Sequence, residues 1–315
     1  MHCATRATAD LDHGLALHPR TGRFRHVVFA DAVRRAPAAD FSPFVPPRVC
    51  ETRTASDCPD DDAFLIWLLD RSGLEGASYR LETLRRRLPS CLRALRVRSV
   101  TEARRLLGAQ SELLGTALTA TVIGVTSFFR DAPVFATLRD EVLPSLLASA
   151  ARLPLRIWSI GCSDGPELYS VAMLLDEIGM LEHAILLGTD CRPDAIRQAR
   201  SGDFDPLALR EIEPRLEATY FRYADGRWRI DERLPKAATW RVGNVLAVPE
   251  PGFWDLILCR NLAIYLTEDA VTTLWTRVQG CLRPGGILVT GKAERPHGAR
   301  GLSMIKPCIY RRATV

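Results

Sequence analysis

Arg156-Ile157-Trp158-Ser159-Ile160-Gly161-Cys162-Ser163-Asp164-Gly165-Pro166-Glu167 is the stretch on which the fold turns. It opens with an apolar run, two glycines bracket a tight turn, and Tyr169, Met173 and Leu174 then recur at helical spacing. A buried strand that feeds a glycine turn and then a helix is the opening unit of a parallel sheet covered by helices. Ligands of such sheets sit at the carboxyl ends of the strands, where a turn of this kind lets the backbone come close. The turn alone names no ligand. It lacks the Gly-x-Gly-x-x-Gly spacing of a dinucleotide site, and it lacks the Gly-Lys-Ser/Thr ending of a nucleotide phosphate loop.

Reading onward, Ile185-Leu186-Leu187-Gly188-Thr189-Asp190 is a second strand that ends in a carboxylate. An acid there can accept hydrogen bonds from ribose hydroxyls, and it can equally cap the helix that Pro193 and Ala195 begin. Further short apolar runs follow at Trp240–Val242, Asp255–Cys259 and Gly286–Thr290, alternating with helical stretches. The alternation predicts an α/β fold with a parallel sheet between helices. Between about Phe204 and Pro235 it is interrupted. There Phe221-Arg222-Tyr223 and Trp228-Arg229-Ile230, joined through Ala224-Asp225-Gly226, predict a small inserted hairpin.

Upstream the texture is helical. Asp60-Asp61-Asp62 begins a helix through Phe64, Leu65, Trp67, Leu68 and Leu69, which Gly73 ends. A second helix is expected over Tyr79–Leu95, a third from Glu102 through Leu107, and helical pattern again from Gln110 to Ile123. The segment 60–125 therefore reads as a small all-helical domain ahead of a larger domain over 126–315. Residues 1–59, aperiodic and rich in proline and histidine, read as a disordered or loosely packed arm.

Composition removes several function classes. The 42 basic and 37 acidic residues leave a net charge of +5, too mild to argue for nucleic acid. All the basic residues except Lys236, Lys292 and Lys306 are arginine. No apolar stretch reaches about 18 residues, so no membrane insertion is expected. The 9 cysteines include no Cys-x-x-Cys pair and no zinc-like spacing with histidine, which predicts no metal site and reduced thiols in a cytoplasmic protein.

Five blocks then fall into the order and spacing of one family. They are Thr126-Ser127-Phe128-Phe129-Arg130-Asp131, the Ser159–Glu167 turn, Thr189-Asp190, Cys259-Arg260-Asn261-Leu262-Ala263-Ile264-Tyr265, and Leu282-Arg283-Pro284-Gly285-Gly286. From about residue 61 to 312 the chain resembles the chemotaxis-receptor protein-glutamate O-methyltransferases, the CheR family. The resemblance implies a Rossmann-like class I methyltransferase domain with a small β insert over about 204–235, preceded by the helical domain. It implies S-adenosylmethionine as cofactor. The protein substrate would be acidic and helical, a chemoreceptor cytoplasmic region.

Position by position, the resemblance places Thr126, Arg130, Gly161, Glu167, Asp190, Asn244, Val245, Arg260 and Asn261 against the cofactor. Within that set Asp190 takes the ribose, Asn244 and Val245 bracket the adenine, and Glu167 lies near the methionine end. Arg130 and Tyr265 stand beside the transferring methyl group as the catalytic pair. These residue types suit the chemistry, because a glutamate carboxylate is already an anion at neutral pH and needs no general base. Neither histidine of the core region, His183 or His297, adjoins a motif. The basic run Leu84-Arg85-Arg86-Arg87-Leu88 and Leu92-Arg93-Ala94-Leu95-Arg96 offers a face to an acidic target, or an ordinary solvated surface.

The match has departures. Gly165-Pro166-Glu167-Leu168 stands where the family reads Gly-Glu-Glu-Pro, Gly124 where it commonly has asparagine, and Gly291-Lys292-Ala293-Glu294 where it has Gly-His-Ser-Glu. Pro89 interrupts the basic helix. These departures keep two alternatives open: a methyltransferase of another protein or a small carboxylic acid, and a catalytically silent cofactor-binding scaffold.

Overall fold

The computed structural model describes residues 59–314 apart from 123, 125, 150–153, 249 and 251. The arm expected over 1–59 lies outside the described residues except for Pro59, which opens the first helix.

Five helices lead the described residues: α1 (Pro59–Arg71), α2 (Leu81–Arg85), α3 (Leu88–Ala94), α4 (Val100–Ala109) and α5 (Leu114–Thr121). Acidic Asp60, Asp61 and Asp62 fill the first turn of α1, where they oppose the positive end of the helix dipole. Ser99 caps α4 by accepting from the Glu102 N–H, while the Glu102 carboxylate accepts from the Arg98 N–H. The single helix expected over Tyr79–Leu95 is instead two. Pro89 cannot donate to a helix already running, so the chain breaks at Arg86-Arg87 and restarts with the proline in the first turn of α3.

α6 (Ala132–Thr137) runs through a π-turn at Leu138–Val142 into α7 (Leu143–Ser149). The Rossmann-like unit then follows: β1 (Leu155–Ile160), α8 (Pro166–Glu177), β2 (Ala184–Asp190) and α9 (Pro193–Ser201). The insert comprises β3 (Asp203–Phe204), α10 (Pro214–Tyr220), β4 (Phe221–Ala224), β5 (Arg227–Ile230) and α11 (Arg233–Ala237). Its expected hairpin forms through Asp225 and Gly226, both at positive φ, and gains β3 as a third strand. The main unit resumes with β6 (Ala238–Val242), β7 (Trp254–Cys259), α12 (Glu268–Cys281) and β8 (Leu282–Thr290), and ends in β9 (Leu302–Lys306) and β10 (Ile309–Arg312).

Seven strands make one sheet in the order β6-β2-β1-β7-β8-β10-β9. The five from β6 to β8 are parallel, but β10 pairs antiparallel with β8 and with β9, so the expected parallel sheet is mixed at one end. Both faces of the central strands are buried. On β1, Leu155 and Ile157 enter one core with α8 and the insert, while Trp158 and Ile160 enter the other with α1–α5 and α12. The same period-2 division holds on β7 for Leu256 and Leu258 against Ile257 and Cys259. The helical segment thus shares a core with the sheet, and Asp57–Val315 clusters as a single compact unit. No helix of the described residues is long and apolar enough to cross a membrane. The chain leaves β1 toward β2 on one side and returns to β7 on the other, and the crevice between them opens at the strands' carboxyl ends.

Candidate active site

Two adjoining cavities occupy that crevice, and they share Gly124, Gly161, Asn261 and Tyr265. The first has mostly apolar walls: Tyr79, Val122, Val245, Leu246, Leu262 and Leu266 surround the carboxyl ends of β1, β2 and β6. Asp190, Arg192, Gly243 and Asn244 supply its polar edge. The second is lined by Thr126, Arg130, Ser163, Glu167, Arg210 and Arg260, among others. All ten residues singled out from the sequence therefore line one cavity or the other. Neither His183 nor His297 lines either.

The turn after β1 owes its shape to left-handed backbone at Gly161 (φ 65°), Ser163 (φ 54°) and Gly165 (φ 100°). At Gly165 a Cβ would also meet Trp240 and Tyr169 at 2.9 Å, so glycine is required twice over. Cys162 N–H donates to the Thr189 carbonyl (2.9 Å), which locks the turn to the end of β2. Ser163 Oγ–H donates to the Gly124 carbonyl (2.6 Å) and so joins the turn to the segment that leads into Thr126.

Glu167 and Asp190, the two acids expected at the cofactor, are both buried, and both are held by their neighbours. Glu167 accepts from Ser159 Oγ (2.8 Å) and from Arg260 Nη1 (3.2 Å). Burial pushes its carboxyl above the usual range, with Arg260 pulling the other way. Arg260 Nη2 also donates to Asp131 (2.6 Å) and to the Arg130 carbonyl (2.9 Å). Asp131 in turn pairs with Lys292. Burial works to raise the Asp131 carboxyl, but the Lys292 hydrogen bond and the Arg260 charge hold it below the usual carboxylate range.

Asp190 accepts from the backbone N–H groups of Ser163 and Arg192, each at 2.9 Å, and from the Arg192 side chain through Nε (2.9 Å) and Nη2 (3.1 Å). Asn244 turns its Oδ1 onto the Leu246 N–H (3.0 Å), which shapes the loop carrying Val245. Burial raises the Tyr265 phenol, and the charges of Arg130, Arg87 and Arg192 oppose that rise. Arg130 and Tyr265 thus act on each other electrostatically within one cavity.

Several contributors lie outside the ten site residues read from the sequence. Glu294 is 3% exposed and accepts from the backbone N–H groups of Asn261, Ala263 and Gly291, each at 2.7 Å, holding Asn261 at a positive φ of 57°. Tyr79 comes from the helical segment, where Arg80 N–H donates to the Tyr265 carbonyl (2.8 Å) and Thr267 N–H to the Ser78 carbonyl (3.0 Å). The insert supplies Arg210 to the second cavity. Arg192 stands two residues past the strand-end acid, a spacing that could have marked it.

Residues 124–305 match the model of the family described as CheR methyltransferase, SAM binding domain. The chain is 29% identical over 245 residues to chemotaxis protein methyltransferase 1 of Pseudomonas aeruginosa, covering 75% of this chain and 89% of that one. It is 31% identical over 224 residues to the chemotaxis protein methyltransferase of Listeria monocytogenes, covering 71% and 85%. With that of Vibrio parahaemolyticus it shares 30% over 241 residues, covering 73% and 87%. The family match runs from Gly124 to Ile305 and so takes in both cavities except the wall that Tyr79 and Val122 add. The chain belongs to the CheR methyltransferase family and is an S-adenosylmethionine-dependent methyltransferase.

Proposed function

We propose that this chain methylates glutamate side chains of a protein, forming methyl esters on the acidic helical cytoplasmic region of a chemoreceptor. The observation that carries the reading is that Arg130 and Tyr265, far apart in sequence, line one polar cavity that adjoins an apolar one. The residues present fit the cofactor. Val245, Leu246 and Leu262 suit an adenine face, Asp190 a ribose diol, and the charged set around Glu167 and Arg260 the amino-acid end. Thr126, Gly161, Asn244 and Asn261 fill in the walls between them.

When bound, S-adenosylmethionine supplies a methyl group activated on a sulfonium. The protein's part is orientation and exclusion of water. Arg130 is suited to hold the acceptor carboxylate through charge-assisted bonds, and Tyr265 to donate from a rigid ring. An ionised carboxylate needs no proton removed, which agrees with cavities that no histidine among the described residues lines.

The receptor assignment draws support from the chemotaxis names of the relatives and from charge. Arg86, Arg93 and Arg96 are exposed just after α2, on α3 and in the turn that follows α3, and the nearby Arg87 charge reaches Tyr265. Helices within 60–125 then serve as a receptor-engaging domain, 126–315 as the methyltransferase domain, and the protein works in the cytoplasm, where such a receptor region lies. Transfer of labelled methyl groups to receptor fragments, followed by mild alkali, tests the reading. Label on the receptor that alkali releases is the expected result. Label stable to alkali excludes a carboxylate ester. Label on another protein or on a small acid moves the acceptor elsewhere, and no transfer despite cofactor binding leaves a scaffold.

A further inference from the structure

Asp190 is the acid at the end of β2, and its hydrogen-bonding capacity is fully used within the protein. An ionised carboxylate offers about four acceptor sites. Four donors already occupy them: the Ser163 N–H, the Arg192 N–H, and Arg192 Nε and Nη2. The two backbone donors belong to the turns that shape the site and cannot leave without dismantling it. The two side-chain donors can leave. The guanidinium forms a two-point fork across both carboxylate oxygens, the pattern in which a vicinal diol would also bind the acid.

The position of the fork explains how it is accommodated. Arg192 lines the apolar cavity, yet its side chain is only 6% exposed. Its guanidinium lies over Gly124, where a Cβ would collide with Nη1, Nη2 and Cζ of Arg192. What the missing side chain leaves open is the seat of the arginine.

We infer that Arg192 is an internal competitor for the ribose subsite, seated over Gly124 and displaced from Asp190 when the cofactor's ribose binds. It sets cofactor affinity by holding the competent, open form to a fraction of the molecules, and apparent affinity falls by that fraction. The inference rests on Asp190 serving as the ribose acid, as proposed above. Two substitutions at sites 68 positions apart should then act alike. Arg192→Ala removes the competitor, and Gly124→Ala evicts it from its seat.

The test is calorimetric titration of the full chain and its variants with S-adenosylhomocysteine, with melting temperatures as a check on folding. Arg192→Ala and Gly124→Ala should each bind about tenfold more tightly than the unaltered chain. The double variant should gain no more than either single one, because both remove the same obstacle. Weaker or unchanged binding by Arg192→Ala overturns the inference and makes the arginine a cofactor ligand or a bystander. Additive gains in the double variant overturn it too. Binding seen only after Arg192→Ala supports it in its strongest form. If no variant binds, the assignment of the cofactor to this crevice fails, and the competitor fails with it.

Discussion

The two cavities meet at Gly161 and Tyr265 but are built of different materials. The apolar one takes its shape from backbone: the left-handed turn at Gly161, the Asn244 side chain closed on its own loop, and Tyr79 carried in by the helical segment. The polar one takes its shape from a chain of charges that runs from exposed Lys292 through half-buried Asp131 to buried Arg260 and Glu167. Backbone walls tolerate the loss of one side chain, because the rest of the wall stays in place. A buried ion network does not, because every member removed leaves a partner uncompensated in low dielectric. Damage to the first cavity should therefore appear as lost affinity, and damage to the second as lost rate and stability.

The comparison can be broken most forcefully at Arg260. Arg260→Ala strands Glu167, leaves Asp131 with Lys292 alone, and should cost about 3–5 kcal/mol in denaturant unfolding. A loss below about 1 kcal/mol would mean that water screens the network and that the contrast is overdrawn. At Arg130 the expected loss is kinetic. Arg130→Ala should slow methyl transfer by about 100-fold or more while S-adenosylhomocysteine affinity changes only a few-fold. Equal losses in both would place Arg130 on the cofactor instead of the acceptor.

Asp190→Ala should weaken cofactor binding by about 1–3 kcal/mol while the rate at saturating cofactor stays within a few-fold, and it should also lower stability because it strands the buried Arg192. Tyr265→Phe should cost about tenfold in rate, since one neutral hydrogen bond is lost and the ring stays. The smallest effect is on acid stability. Because the Asp131 carboxyl is held below its ordinary value in the fold, its contribution is complete at neutral pH and lost as pH falls below about 4. Asp131→Asn should shift the melting temperature less on acidification than the parent chain does, and identical acid profiles would remove Asp131 from the network.

What could be read from the sequence was whatever lies local to one turn or one strand. The β1 turn, the acid ending β2 and the Cys259–Tyr265 block each announce themselves within a dozen residues, and the structure brings them to one crevice. The misreadings have physical causes. Leu302–Lys306 alternates poorly and its residues are mostly exposed on a sheet edge, so no apolar pattern marked β9 as a strand. Pro89 could be seen, but whether it would kink a helix or start a new one depends on how Leu88 and Cys91 pack. Tyr79 as a cavity wall and the seat of Arg192 over Gly124 were hidden for a deeper reason. Each depends on side chains from distant segments meeting, and no local spacing encodes that.

The backbone tie between the helical segment and the Tyr265 loop has a consequence for how the protein comes to exist. Thr267 Oγ1 lies 3.4 Å from the Ser78 carbonyl, and these residues are 189 positions apart in the chain. During synthesis α1–α5 emerge first, but the apolar faces of Leu65, Leu68, Leu118 and their neighbours find their full partners only when β7 and α12 arrive. Contacts between such distant segments form late and slowly. Throughout that interval the first-made part of the protein carries uncovered hydrophobic surface, the condition under which nascent chains aggregate or recruit chaperones. Fast truncation products ending before Trp254 should accordingly be insoluble or chaperone-bound, although they contain the β1 turn and Asp190 intact.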